Sequence, residues 1–423
     1  MASDSRKSQR SLMDMPNEIL LEICENLCSH CSDIPTTFQK DLSNLSMTSK
    51  RLRAVALPVL YHDASPRNTS LFLRTITSAE HKHLAAQVHR FCNSGDDCSW
   101  SDELDHILIR HQLLGEVLAE LTNAKQLDIN VPCGSDARLD GLPKMPVPME
   151  SVTTLSLTPW ADVDLGQMSD FLAAMPCLET LKVKDCMLVT QRLPLARIRS
   201  LTFHLGLIGP KSLQNLVDSC PILEHLDLYL TDFVGAMAQY EPAPLTWSSA
   251  QSTLQSRRET LKHLRLRLGL DPYDWDQVSP EEYYGSFRGF DSLESLWVLT
   301  AGFGSVDDQG TPSFPENVQQ LVTMLPGSLT CIYFQGFHEK WNKIHVMAQA
   351  IREGHFPRLK RVVVEDYSSP IDTDTLQHCE RLSNRPGVRF EYLSYMEMYT
   401  RWKQCSTPAY AKKVNNGIEF PRG

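Results

Sequence analysis

Cys24, Cys28, His30 and Cys31 are side chains of the kinds that hold soft metal ions, and Cys28-x-x-Cys31 has metal-ligand spacing. No second Cys-x-x-Cys or Cys-x-x-His pair follows at the distance a zinc module needs. The cluster therefore reads as one cysteine on a helix face followed by polar loop thiols, with no metal and no cofactor expected. The twelve cysteines of the chain are expected to be reduced and mostly buried, because the polar start MASDSRKSQR carries no secretion leader. No nucleophile elbow, Walker-type phosphate loop, HExxH helix or strand-borne GxGxxG occurs in the sequence. The glycines and carboxylates of GFGSVDDQG read as a flexible loop, and Cys405 has no credible positioned base. The chain is expected not to be an enzyme.

Other residue types point to recognition. Lys182, Lys184, His263, Arg265 and Arg267, with Trp297 and Tyr333, recur in or beside the middle of short apolar-x-apolar units. Arginine and large aromatics dominate protein interfaces, and arginine grips carboxylates or phosphates through charge-assisted hydrogen bonds. These seven are the candidate client-binding residues for an acidic or phosphorylated protein segment, although their types equally fit a solvated strand face. The insertion DPYDWDQVSPEEYYGSFRGF concentrates Tyr273, Trp275, Tyr283, Tyr284, Phe287 and Phe290, as either a binding loop or, the favoured reading, a packed lid.

These side chains need a scaffold, and the sequence carries one. An apolar-x-x-apolar-x-apolar unit recurs at Ala124-Leu127-Ile129, Val152-Leu155-Leu157, Leu178-Leu181-Val183, Ile198-Leu201-Phe203, Leu223-Leu226-Leu228, Leu261-Leu264-Leu266, Leu293-Leu296-Val298, Leu329-Ile332-Phe334 and Leu359-Val362-Val364. Successive copies lie 20 to 38 residues apart, about 29 on average. Each unit predicts a short strand with its apolar residues inside. The residues between them, Asp128, Ser156, Lys182, Thr202, Asp227, Arg265, Trp297, Tyr333 and Val363, then share the other face. Segments such as GPKSLQNLVDSCPILEHL predict a helix before the strand.

The N-terminal stretch MPNEILLEICENL predicts a helix with a wide apolar face, its N-terminus marked by Asp14 as cap and Pro16 in the first turn. DLSNLSMTSKRLRAVALPVLY predicts two more short helices, broken near Thr48 to Lys50 and closed by Pro58. So small a unit cannot hide all of its apolar surface in itself, so the excess covers either a partner or the rest of the chain.

Taken together, these two N-terminal segments resemble an F-box, the adaptor-binding motif of Skp–cullin–F-box ubiquitin ligases. Met15-Pro16 stands for the opening Leu-Pro pair, and Glu18-Ile19-Leu20, Ile23, Leu27, Asp41-Leu42, Leu45, Lys50-Arg51-Leu52-Arg53, Leu57-Pro58 and Leu60-Tyr61 follow the pattern. Thirteen residues separate Leu27 from Asp41, more than the family's usual turn, and Met47-Thr48-Ser49 replaces its common apolar-cysteine pair. The repeats resemble the leucine-rich repeats of such proteins, with fungal chains nearest in character.

The resemblance implies an α/β protein: a three-helix F-box, then an irregular leucine-rich-repeat solenoid. The expected organisation is a disordered tail at residues 1–11, the F-box at 12–61, a linker and N-terminal cap at 62–112, the solenoid at 113–393, and a C-terminal cap or tail at 394–423. It further implies a non-catalytic substrate receptor that docks a Skp-type adaptor, and through it a cullin, by Pro16, Ile19, Leu20, Ile23, Leu27, Leu42, Leu45 and Leu52. The alternative is a leucine-rich-repeat scaffold with no role in ubiquitination. A net charge of −10 disfavours nucleic acid as partner, and no run of eighteen apolar residues points to a membrane, so a cytoplasmic or nuclear location is expected.

Overall fold

A computed structural model describes residues 12–28, 31, 39–66, 68–93, 104–131, 145, 147–159, 164–184, 188–206, 208–230, 245–268, 284–299, 305–306, 312–313, 317–336, 344–366 and 373–394. The expected tail at 1–11 and residues 395–423, with Cys405, lie outside these, as do His30, Tyr273, Trp275 and Tyr283. The described residues form a mixed α/β architecture with twelve α-helices and one unclosed, twelve-stranded parallel sheet. No helix among them is long and apolar enough to cross a membrane.

The chain divides into two compact units. One comprises Met1–Ala137, Gly141–Ser156 and Ala174–Cys177, and the other Arg138–Asp140, Leu157–Ala173 and Leu178–Gly423.

The first unit opens with α1 (Asn17–Leu27), α2 (Gln39–Thr48) and α3 (Lys50–Leu60). Leu20, Cys24 and Cys28 recur every fourth residue and face inward, where Cys24 and Cys28 join Leu42, Ala56 and Val59 in one core, with Leu27, Leu45, Val55 and Leu60 packed against it. The residue at the N-cap of α1 is Pro16, which supplies no side-chain cap, and Asp14 lies just before it in a turn of 3-10 helix formed by Leu12–Asp14. Arg51 does the anchoring instead. Its guanidinium donates to the Met15 carbonyl at 2.6 Å, to Asn17 Oδ1 at 2.9 Å and to the Met13 carbonyl. The break between α2 and α3 falls at Ser49, whose hydroxyl accepts from Leu52 N–H at 3.1 Å. Pro58 does not close α3. The helix runs to Leu60 because the Tyr61 N–H still reaches the Leu57 and Pro58 carbonyls, so only the bond proline cannot donate is lost.

The same unit continues with β1 (Asp63–Ala64), α4 (Thr69–Thr77), α5 (Lys82–Ala85), β2 (Arg90–Cys92), α6 (Leu104–Glu120) and β3 (Gln126–Val131). The segment expected to be linker and cap thus contributes two strands to the sheet, paired in parallel as Asp63 with Arg90 and Arg90 with Gln126. β4 (Thr154–Pro159) follows, with Thr154–Ser156 assigned to this unit and Leu157–Pro159 to the other.

In the second unit the strands are β5 (Thr180–Lys184), β6 (Ser200–Gly206), β7 (His225–Leu230), β8 (His263–Leu268), β9 (Ser295–Leu299), β12 (Cys331–Gly336), β13 (Arg361–Asp366) and β14 (Arg389–Ser394), hydrogen-bonded in that order. α7 (Ser169–Ala173), α8 (Pro210–Ser219), α9 (Trp247–Leu254), α10 (Val318–Met324), α11 (Ile344–Arg352) and α12 (Thr373–Ser383) fall between strands. Pairing is in step, so Leu226, Leu264, Leu296, Ile332, Val362 and Phe390 stack as one buried row. GFGSVDDQG is not wholly loop: β10 (Ser305–Val306) pairs antiparallel with β11 (Pro312–Ser313).

One device recurs before the strands of both units. The carbonyl of the residue preceding a strand accepts two N–H groups from the next copy: His62 from His89 and Arg90, Glu179 from Arg199 and Ser200, Glu224 from Lys262 and His263, Glu294 from Thr330 and Cys331. Each of these copies is locked to its neighbour at the point where its strand begins.

Candidate functional site

The outward face of β7, β8 and β9 gathers the densest set of candidate side chains. Asp227 stands at its centre. Arg265 Nη1 donates to Asp227 Oδ2 at 3.4 Å, and His204 Nε2 lies 3.4 Å from the same oxygen. Burial pushes the Asp227 carboxyl up, but Arg265, His204 and Arg267 outweigh it and hold the group at about 2. The Arg265 guanidinium sits 3.6 Å from the centre of the Trp297 ring and that of Arg267 4.8 Å from it, while Trp297 stacks on Tyr333 at 4.5 Å. Arg267 is only 7% exposed, and burial raises the Tyr333 phenol above its ordinary range. Among the described residues, buried Asp227 Oδ1 and Trp297 Nε1 have no hydrogen-bond partner.

The seven candidate client residues do not form one patch. Arg265, Arg267, Trp297 and Tyr333 come together, whereas half-buried Lys182 and exposed Lys184 lie on β5, three strands or about 14 Å from β8. His263 stacks on His225 at 4.3 Å. Burial and the neighbouring ring lower His225 to about 4, and burial followed by Lys262 lowers His263, so this pair carries no charge near neutral pH. Asp227 was readable as a middle residue of a unit, but its role was not: the partners that define it come from neighbouring strands. Of the aromatic insertion, Tyr284, Phe287 and Phe290 are buried and continue from Trp247 with ring centres 5.4 to 5.8 Å apart, which is core packing.

A second candidate surface lies on the three-helix block. Leu20 is 1% exposed, and Leu42 and Leu52 are buried with it, so three of the eight candidate adaptor contacts are occupied by internal packing. Pro16 is exposed and Ile19 is 43% exposed, with Ile23, Leu27 and Leu45 half-buried. Leu12, Met13, Leu21 and, at 74%, Met47 add exposed apolar surface to the block. Met13 and Met47 escaped the residue-type reading because neither falls on the apolar line that Ile19, Ile23 and Leu27 suggest.

The sequence reading also missed a convergence of metal-binding types. Cys28, Cys31 and His62 bring their ligand atoms within 4.8 Å of one another, with Cys31 Sγ 3.3 Å from His62 Nδ1. His62 lies 31 residues beyond Cys31 and matches no local spacing motif. No protein-family model matches the sequence, and no curated protein is significantly similar to it.

Proposed function

We propose that residues 12–61 are an F-box, that the strand-and-helix copies after it form a leucine-rich-repeat solenoid, and that the chain is a substrate receptor of a Skp–cullin–F-box ubiquitin ligase. The observation that carries this reading is the split of α1: Leu20 and Cys24 are sealed inside while Ile19 and Leu21, and Pro16 just before the helix, are exposed. Exposed apolar side chains on an ordered helix mark a partner surface. Pro16, Ile19, Ile23, Leu27 and Leu45 contact the adaptor in this reading, while Leu20, Leu42 and Leu52 hold the helices that present them.

The client side of the proposal rests on the β7–β9 face. Trp297 and Tyr333 supply large ring surfaces, and Asp227 Oδ1 and Trp297 Nε1 are an acceptor and a donor that an entering chain segment would satisfy. The chain's contribution to ubiquitin transfer is proximity, with chemistry left to other subunits.

Co-purification with a recombinant Skp-type adaptor tests the reading. Wild type retains the adaptor through gel filtration, and Ile19→Asp and Leu45→Asp lose it. Lys184→Glu is the distal control, because Lys184 is exposed and its reversal disturbs no described ion pair. Arg265→Glu is unsuitable, since it would set a second carboxylate against Asp227. Equal capture by Ile19→Asp and wild type rejects the F-box.

A further inference from the structure

We propose that Cys28, Cys31 and His62 form a binding site for one thiophilic divalent cation, zinc by ligand type, that ties the end of α1 to the end of α3. The inference does not depend on the adaptor reading.

Ligand chemistry comes first. Two thiolates and an imidazole are a soft donor set suited to zinc, and three protein ligands leave a fourth tetrahedral position for water. Zinc bond lengths place such ligand atoms about 3.5 to 3.8 Å apart on a tetrahedron. The largest separation here is no more than 4.8 Å and the Cys31 to His62 separation is 3.3 Å, so closure needs movement of at most about 1 Å.

The main chain already holds all three residues in place. Cys28 closes α1 with its N–H on the Glu25 carbonyl at 3.1 Å, and the Cys31 N–H returns to the Cys28 carbonyl at 3.2 Å. The His62 N–H bonds the Val59 carbonyl at 3.1 Å, and the His62 carbonyl accepts from His89 and Arg90 at 3.0 and 2.8 Å. His62 is therefore fixed from both sides, by the last turn of α3 and by the first inter-copy lock of the sheet. Burial is graded as an entry route requires: Cys28 is sealed, His62 half-buried and Cys31 open to solvent. Hydrogen bonds already join the Cys31 thiol to His62 and to the Cys28 thiol, and Cys28 Sγ also donates to the Val59 carbonyl at 3.7 Å; one cation would replace the first two contacts with three metal–ligand bonds.

The full chain, reduced and stripped of metal by a chelator, is titrated with cobalt(II) and then zinc(II). One equivalent of cobalt should give thiolate-to-cobalt charge-transfer and visible d–d absorption, and one equivalent of zinc should abolish both. Cys31→Ser and His62→Gln should each weaken zinc by more than the roughly 10- to 100-fold that losing a support behind a ligand costs. Cys31→His, which keeps a ligand at an exposed position, should restore most of it, with circular dichroism confirming that every variant is folded. The proposal is overturned if wild type shows no thiolate-to-cobalt band, if Cys31→Ser binds zinc as tightly as wild type, or if Cys28 and Cys31 are found joined as a disulfide after purification under reducing conditions.

Discussion

On α1, Ile19 and Leu21 stand in solvent one residue away from sealed Leu20, whereas on the β7–β9 face Arg265 and Asp227 are paired and Arg267 is nearly covered. The helix block turns apolar surface outward, and the sheet turns charge inward on itself. An apolar side chain in water has no intramolecular way to lower its cost except burial, so Ile19 and Leu21 leave apolar surface exposed at that cost. A charged side chain can be satisfied by a neighbouring strand or a ring face, so arginines on a strand are a weaker sign of an external ligand than their type suggests.

The contrast can be broken most forcefully at Ile19. On the proposed F-box reading, Ile19→Asp should reduce adaptor affinity by about 30-fold or more in a titration, as loss of an interface anchor does. Its melting temperature should stay within a degree or two of wild type, because the position is already wet. Leu228→Ala, at a sealed position of β7, should do the opposite, costing about 2–5 kcal/mol of unfolding free energy in denaturant titration and leaving adaptor capture intact. A smaller loss is expected for Asp227→Asn, about 1–3 kcal/mol, because Arg265 and Arg267 keep their charge and lose its counterpart.

The smallest effect is one of pH. His225 and His263 have folded values below the ordinary imidazole range, so the unfolded chain binds more protons between pH 6.5 and about 4. Their contribution to stability is complete above pH 6.5 and is lost as pH falls. Thermal melts should drop by a few degrees between pH 7 and 5, and a His225→Gln, His263→Gln double variant should flatten that slope. Asp227, held at about 2, loses its contribution in a separate window between pH 4 and 2.

The alternation inside each copy was readable because period two decides which residues meet the core: Leu226 and Leu228 are sealed in it, and half-buried Asp227 lies on the other face. β1 and β2 escaped because they are short and each carries a single buried apolar residue, Ala64 and Phe91, too few to show a period. Contacts across the sheet were hidden for another reason. Asp227 and Arg265 are 38 residues apart, and Cys31 and His62 are 31 apart, so their meeting depends on register and helix length rather than on any local motif. Arg51 was visible as part of a basic run, but its role as a clamp on Met13, Met15 and Asn17 follows only from the way α3 lies beside the start of α1.

The paired N–H groups on each pre-strand carbonyl have a consequence for how this chain can change over evolution. Alignment of one copy on the next is re-established at these strand starts by the same short contact, not counted along the intervening residues. Connections can therefore lengthen or shrink, as spacings of 20 to 38 residues already do, without shifting the phase of any strand downstream. The chain behaves like text whose every line begins at a fixed margin: words can be added to one line without disturbing where the following lines start.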